Sequence, residues 1–274
     1  MSSSPLLVRP HHRADGIVHH ITPENAGWTY VGFESRKLAK GAHATLHPGG
    51  RELCIVILTG RARVTTQGFD SGVIGERESV FDGLAWSVYA PPHHSVTISA
   101  ETDAEIAICS APAEGRLPPR VISPAEVETA DRGKGTNLRH VRNILSETAA
   151  AESLLVVEVI TPGGHWSSYP PHKHDIDNLP HESQLEETYY HRLNPPQGFA
   201  FQRVYTDARD PSTGSGQALD ETIAVGDRDV VLVPRGYHPV GAAHGYDLYY
   251  LNVMAGPKRI WRFHNDPAHE WLMR

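Results

Sequence analysis

The chain has 274 residues, 39% of them hydrophobic and 21% charged, with a formal net charge of −7. Those proportions exclude wholesale disorder and allow one large β domain or two compact domains with a sizeable core. With 25 Lys and Arg against 32 Asp and Glu there is no concentrated positive face for nucleic acid, and no apolar run approaches the ~20 residues of a membrane span. The N-terminus lacks a basic stretch followed by an apolar segment, so a cytoplasmic protein is expected.

In chain order, short β-rich runs recur between glycines and prolines. "ELCIVILTGRARVTT" reads as two strands around Thr59 and Gly60, "SVYAPPHHSVTISA" as strand, Pro-Pro corner and strand, and "AEIAICSAP" as another strand. Cys54 and Cys109 lie in two of these apolar runs and read as buried free thiols. A stretch rich in Pro, Gly and charge, "APAEGRLPPRVISPAEVETADRGKGTN", then divides the chain into units 1–117 and 118–274. Beyond it "SLLVVEVITPGG", "ETYYHRL", "FAFQRVYTD", "ETIAVGDRDVVLVPRGYHPV" and "YDLYYLNVMAGP" read as strands. "SPAEVETADR" and "VRNILSETAAAES" read as short helices, and "RDPSTGSGQALDE" as a loop. "YAPPHHSVTISA" (89–100) and "LVPRGYHPVGAA" (232–243) are loosely alike, which points to a degenerate internal duplication. The expected fold is all-β: two barrel or sandwich domains with short helices.

With 18 histidines in 274 residues, about one His-x-His pair is expected by chance, so His172 and His174 count only through their context. Residues i and i+2 of a strand share a face, and Pro170-Pro171 favours extended backbone ahead of them. Glu187 opens the alternating run "ETYYHRL", and His238 sits in the Pro-Gly corner "VPRGYHPV". Three imidazoles and one carboxylate form a mixed nitrogen and oxygen set that suits a divalent Zn, Mn, Fe, Ni or Co ion. Unrelated surface or hydrogen-bonding roles for the four residues are the alternative reading.

"SSYPPHKHD", "LEETYYHRLNPPQGFAFQRVYTD", "VLVPRGYHPV" and "GYDLYYLNVMAGPKRIWRF" closely resemble the 5-deoxy-glucuronate isomerases of myo-inositol catabolism, a family similar to the 5-keto-4-deoxyuronate isomerases. The resemblance covers most of the chain. It implies a bicupin, and conversion of 5-deoxy-D-glucuronate to 2-deoxy-5-keto-D-gluconate through a metal-stabilised enediol. His172, His174 and His238 match the metal-binding histidines of the cupin motifs. Glu187, rather than Glu186, matches the carboxylate, because it directly precedes the "TYY" strand. Residues 175–186 intervene where a typical cupin has a short spacer, and only Tyr237 separates Gly236 from His238. Glu52 and His94 stand at loosely corresponding places in the first half, which has no His-x-His, so only the second barrel is expected to keep the metal.

Within this reading His191 shares the strand face of Glu187 and Tyr189, and is a candidate catalytic residue. Of Tyr249 and Tyr250 one should face inward, and Tyr249 is taken as the candidate. The substrate carboxylate calls for an arginine fork. Arg203, which alternates with Phe199 and Phe201, and Arg235, beside His238, are the candidates; Arg192 and Arg259 are further options. Cupin sheets often pair between subunits, so the resemblance also implies a homo-oligomer. A cupin dioxygenase with the same ligand set and a non-catalytic sugar-binding bicupin are the competing functions.

Overall fold

The computed structural model describes residues 4–11, 13–207 and 218–273; most of the loop expected at "RDPSTGSGQALDE" lies outside them. The strands form two units, each a large sheet facing a small one. In the first unit the large sheet runs Arg120–Ile122, Trp86–Ala90, Arg51–Thr59, Ala104–Pro112, Gly32–Leu38, Ile17–Ile21. Its small sheet runs His43–Leu46, Val96–Ala100, Ala62–Thr66, Phe69–Ile74. The second unit repeats both orders. Its large sheet runs Leu7–Val8, Val230–Val233, Glu186–Asn194, Asp247–Ala255, Leu155–Thr161, Arg139–Leu145, with Glu128–Arg132 added at the edge. Its small sheet runs Trp166–Ser167, Val240–Ala242, Ala200–Tyr205, Asp220–Val225.

The coincidence of the two orders, strand for strand, is the internal duplication expected from the sequence. The fold is all-β, with two barrel-like units. Two edge strands cross between them: Leu7–Val8 pairs with Val230–Val233, and Arg120–Ile122 pairs with Trp86–Ala90.

Alternation along the strands creates three cores. Leu53, Ile55 and Ile57 fill the first barrel, while Tyr189, Leu193, Val204 and Val240 line the second. Between the large sheets lie Cys54, Val56, Leu58 and Cys109 from one and Tyr190, Tyr249, Leu251 and Val253 from the other. Burial on both faces explains why "ELCIVIL" reads as a continuous apolar run, and each such side chain stabilises the fold by about 1.5–3 kcal/mol. Cys54 and Cys109 face each other across adjacent strands as free, buried thiols, and burial raises the pKa of both.

The two expected helices are not helices of any length. Pro124–Glu126 is a single 3-10 turn, with Glu126 reaching back to the Ser123 backbone N–H, and Glu128–Arg132 continues as a strand. Residues 141–145 of "VRNIL" belong to the strand Arg139–Leu145, because Val141 and Leu145 are needed against Leu155–Thr161. Tertiary pairing overrides the local preference there.

Polar groups also bridge the large sheets. Glu105 of the first unit accepts from the Tyr190 hydroxyl at 2.6 Å, from Arg192 at 3.1 Å, and from both Nε and Nη2 of Arg228 at 2.9 and 3.0 Å. Burial alone would raise the Glu105 pKa, but Arg228 and Arg192 outweigh it and hold the carboxyl below its usual range. A depressed carboxyl stabilises the fold above its unfolded pKa, and that contribution is lost as pH falls through the folded value. Glu105→Gln should therefore be less stable than the parent at pH 7. The difference in urea midpoint should narrow as pH falls from about 5 to about 3; a gap independent of pH would show that the charge of Glu105 is not what matters.

Candidate metal centre

The strand Glu186–Asn194 runs through the middle of the second large sheet, and its alternation separates two neighbouring carboxylates. Glu186 turns towards the first unit and accepts the backbone N–H groups of Thr29, Tyr30 and Val31 at 2.6, 2.7 and 2.9 Å. Glu187 turns into the barrel. There it meets His174, presented just beyond the short strand His172–Lys173, and His238, presented by the corner after Val230–Val233. The ligand atoms of these three buried residues lie within 4.8 Å of one another. His172 completes the group: its ring centroid is 5.0 Å from that of His238 and 6.4 Å from that of His174, and its other side packs on Phe263 at 4.6 Å.

The hydrogen bonds around the histidines fix which ring nitrogens face Glu187. His174 Nδ1 lies 3.1 Å from the Leu185 carbonyl, and His238 Nδ1 lies 2.8 Å from the Gly236 carbonyl. A carbonyl only accepts, so both Nδ1 atoms carry hydrogen, and in the neutral imidazoles both Nε2 atoms offer lone pairs. Those two nitrogens sit 3.1 and 3.2 Å from the same oxygen of Glu187. Lone pairs facing a carboxylate need a proton or a cation between them. Carbonyl-anchored imidazoles are also how metal-binding histidines are commonly oriented. The donor set thus fits a divalent ion, with His172, His174, Glu187 and His238 available to hold it.

A proton can fill that place, and the charges reflect it. Burial opposes ionisation of Glu187, but the hydrogen bonds of His174 and His238 outweigh it and bring its pKa to about 2. Burial likewise works against a charged His174, yet Glu187 raises its pKa. Burial and the neighbouring His238 and His174 push His172 well below its ordinary value, leaving it a neutral donor.

Behind the cluster the barrel interior is polar. Tyr189 donates to or accepts from Ser168 at 2.8 Å, Tyr250 pairs with Ser167, and the two phenol rings are 4.9 Å apart. Burial raises the pKa of both phenols, so they stay protonated. Both line a narrow space of about 30 Å³ together with Glu187 and His172.

The other candidates from the sequence fare unequally. His191 does share the face of Glu187 and Tyr189. It lies deeper, stacked on Tyr189 at 5.9 Å with Nε2 3.0 Å from Gln202, and does not line the space beside Glu187. Burial lowers its pKa to about 4, so it is neutral.

Tyr249 must be corrected: it faces the first unit and donates to Glu158 at 2.7 Å, and Tyr250 is the inward residue. Arg203 must be corrected too. It does share a face with Phe201, but that face is the outer one, where it forks onto Asp220 at 2.8 Å through both Nε and Nη2. Arg235 is half-buried beside the His238 corner and does not line the cavities that reach His172. Arg192 is committed to Glu105 and Asp227, and Arg259 to the backbone carbonyls of Ser146, Glu147 and Leu154. Sequence reasoning missed Ser167, Ser168 and Tyr250, although Tyr250 was one half of a stated choice.

Two barrels in tandem, one of them carrying inward histidines and a glutamate at its mouth, define a bicupin with a candidate metal centre in its second half. A structure of oxalate decarboxylase from Lactobacillus farciminis shares this fold at 14% identity, with a TM-score of 0.64 over 97% of this chain and 89% of that one. A crystal structure of an IolB-like protein from Salmonella typhimurium LT2 is 51% identical, with a TM-score of 0.93 over 99% of this chain and 100% of that one. The KduI/IolB family model matches residues 6–272, and the chain belongs to that family. A relative from Geobacillus kaustophilus (strain HTA426), named 5-deoxy-glucuronate isomerase, is 53% identical over 97% of this chain and 95% of its own length.

Three outcomes are expected at this site. His172→Ala should weaken metal binding by more than about 100-fold, beyond the ~10–100-fold typical of outer residues, as measured by metal analysis and calorimetry. Retention of stoichiometric metal would remove His172 from the ligand set. Tyr250→Phe should lower turnover by about tenfold or more with metal content unchanged, whereas Tyr249→Phe should spare turnover and cost about 1 kcal/mol of stability.

Proposed function

We propose that the chain is a 5-deoxy-glucuronate isomerase, converting the aldose 5-deoxy-D-glucuronate to the ketose 2-deoxy-5-keto-D-gluconate in myo-inositol catabolism. The observation that carries this reading is the 53% identity, over nearly the whole chain, to a relative of that name. The barrel chemistry supports it. Aldose–ketose interconversion removes a proton from the hydroxyl-bearing carbon, passes through an enediol, and returns a proton to the former aldehyde carbon. Such a reaction needs an electrophile for the developing oxyanion and fixed partners for the hydroxyls.

A divalent cation held by His172, His174, Glu187 and His238 would supply Lewis-acid polarisation of the substrate oxygens. The chain's own residues do the rest. Tyr189 and Tyr250 keep their protons and present hydroxyls to sugar oxygens, with Ser168 and Ser167 fixing their orientation. His191 acts in this reading as a positioning residue, packed beneath Tyr189. The apolar barrel wall of Val141, Val157 and Val159 keeps bulk water away.

The reading includes a division into a first barrel, 1–117, without the metal and a second, 118–274, with it, and a cytoplasmic homo-oligomer. No helix of the described residues is long and apolar enough to cross a membrane.

The test is proton NMR of the purified protein with 5-deoxy-D-glucuronate in D₂O, before and after chelation. Ketose signals should appear with the metal-replete protein, vanish after chelation and return on adding metal back. Deuterium in the new CH₂OH group would mark a solvent-exchanging enediol. Substrate-dependent oxygen uptake without ketose would instead favour a dioxygenase, and no turnover by metal-replete protein would reject the substrate.

A further inference from the structure

Every arginine singled out from the sequence for the substrate carboxylate is turned outward, engaged elsewhere or away from the cavity. The cavity itself offers another. A space of about 360 Å³, within the range of about 300–1,000 Å³ for small-molecule sites, opens at the mouth of the second barrel. Its walls include Lys134, Arg139, Tyr169, His172, Phe263 and Met273. Only Arg139 and His172 are shared with the narrow space that reaches Glu187, Tyr189 and Tyr250. A molecule entering the larger cavity therefore meets Arg139 and His172 together.

The electrostatics of this cavity are one-sided. Among the described residues its lining holds two cations and no Asp or Glu, in a chain whose net charge is −7. Among the described residues the only carboxylate on the narrow space is Glu187, which the histidines already engage. Arg139 is half-buried, and burial works against its charge. It donates through Nη1 to the carbonyls of Asn137 and Tyr169 at 3.1 and 3.3 Å, and forms no ion pair with a carboxylate among the described residues. Those two carbonyls fix one edge of the guanidinium and leave the fork without an anion. Each of the other half-buried cations described above has its partners; this one faces a cavity.

We propose that Arg139 binds the carboxylate of a sugar-acid substrate, with Lys134 adding positive field at the rim, so that the aldehyde end of the same molecule lies at the histidine cluster. This deepens the isomerase reading and rests on it for the identity of the substrate. The role is discrimination: a planar fork accepts a carboxylate bidentately and gains little from a neutral alcohol.

The experiment compares 5-deoxy-D-glucuronate with its uncharged analogue 5-deoxy-D-glucose, in kinetics and in calorimetric binding to the metal-loaded protein. The parent should prefer the acid. Arg139→Met should raise KM for the acid about 10–100-fold, the scale of a lost charge-assisted hydrogen bond, with kcat changed far less and metal content unchanged. Its behaviour towards the neutral sugar should barely move, so the preference collapses. Arg139→Lys should restore part of it, and guards against a folding defect in the methionine variant. An acid preference intact in Arg139→Met would overturn the proposal, as would loss of metal or an equal loss for both sugars in both variants. If the parent turns over neither sugar, the isomerase reading fails. The calorimetric preference still decides Arg139: selective binding of the acid that the variant abolishes supports it, and no selectivity in the parent rejects it.

Discussion

The alternation of one strand, Glu186–Asn194, organises the rest of the molecule. Successive side chains of a strand point to opposite faces, and here both faces are occupied by polar groups with separate tasks. Glu187, Tyr189 and His191 enter the barrel, where Glu187 joins the candidate metal centre and the other two its polar floor. Glu186, Tyr190 and Arg192 leave by the other side and bind the first unit, at the backbone of Thr29 to Val31 and at Glu105. A register slip of one residue would exchange the two sets. It would bury the interdomain groups in the barrel and turn Glu187, Tyr189 and His191 towards the other unit, so pairing of this strand with its neighbours specifies site and interface together.

The duplicated architecture makes the contrast between the halves readable. Glu187 lies opposite Val233 and Met254, and Leu53 lies opposite Ala90 and Ser110 in the matching strands of the first unit. Leu53 thus occupies the place of Glu187, Ile55 that of Tyr189, and Ile57 that of His191. Glu52, which the sequence offered as a loose counterpart of the ligand, falls opposite Glu186 in this comparison, and it does the same work in reverse. It accepts the backbone N–H groups of Glu152, Ser153 and Leu154 at 2.9, 2.7 and 2.7 Å, and the Tyr89 hydroxyl at 2.7 Å. Each unit therefore reaches a glutamate across to three consecutive amides of the other. The contact between the barrels kept its symmetry while their interiors diverged, one towards aliphatic packing and one towards polar, titratable side chains.

Much of this was legible in the sequence, because strand alternation is a rule that needs no tertiary knowledge. It placed Glu187, Tyr189 and His191 on one face and Glu186 on the other. The same rule misplaced Arg203: it grouped the residue with Phe199 and Phe201, and the inference that aromatics point inward then failed, since both phenylalanines are exposed. Tyr249 and Tyr250 could not be separated by pattern, because "DLYYLNVMA" is buried on both faces and carries no polar side to read. Arg139 was invisible for another reason. It lies just ahead of residues 141–153, which read as helical, and its partners are backbone carbonyls, which leave no mark in a sequence.

The inserted residues 175–186 show how departures from a family pattern can hold a site together. Leu185 lends its carbonyl to His174 Nδ1, and Asp175 accepts the Gly236 N–H at 2.8 Å, one corner away from His238. Lys173 and Glu182 tie the two ends of the insertion to each other, through Asp175 and at 3.1 Å. Gly236 in turn holds His238 by its carbonyl, and it must be glycine. Its φ is +88°, and a Cβ there would lie 2.4 Å from the Tyr205 carbonyl oxygen. The insertion and the tight Gly-Tyr-His corner are one device in physical terms. Each fixes a carbonyl against an imidazole Nδ1, and together they aim two Nε2 atoms at the same carboxylate oxygen.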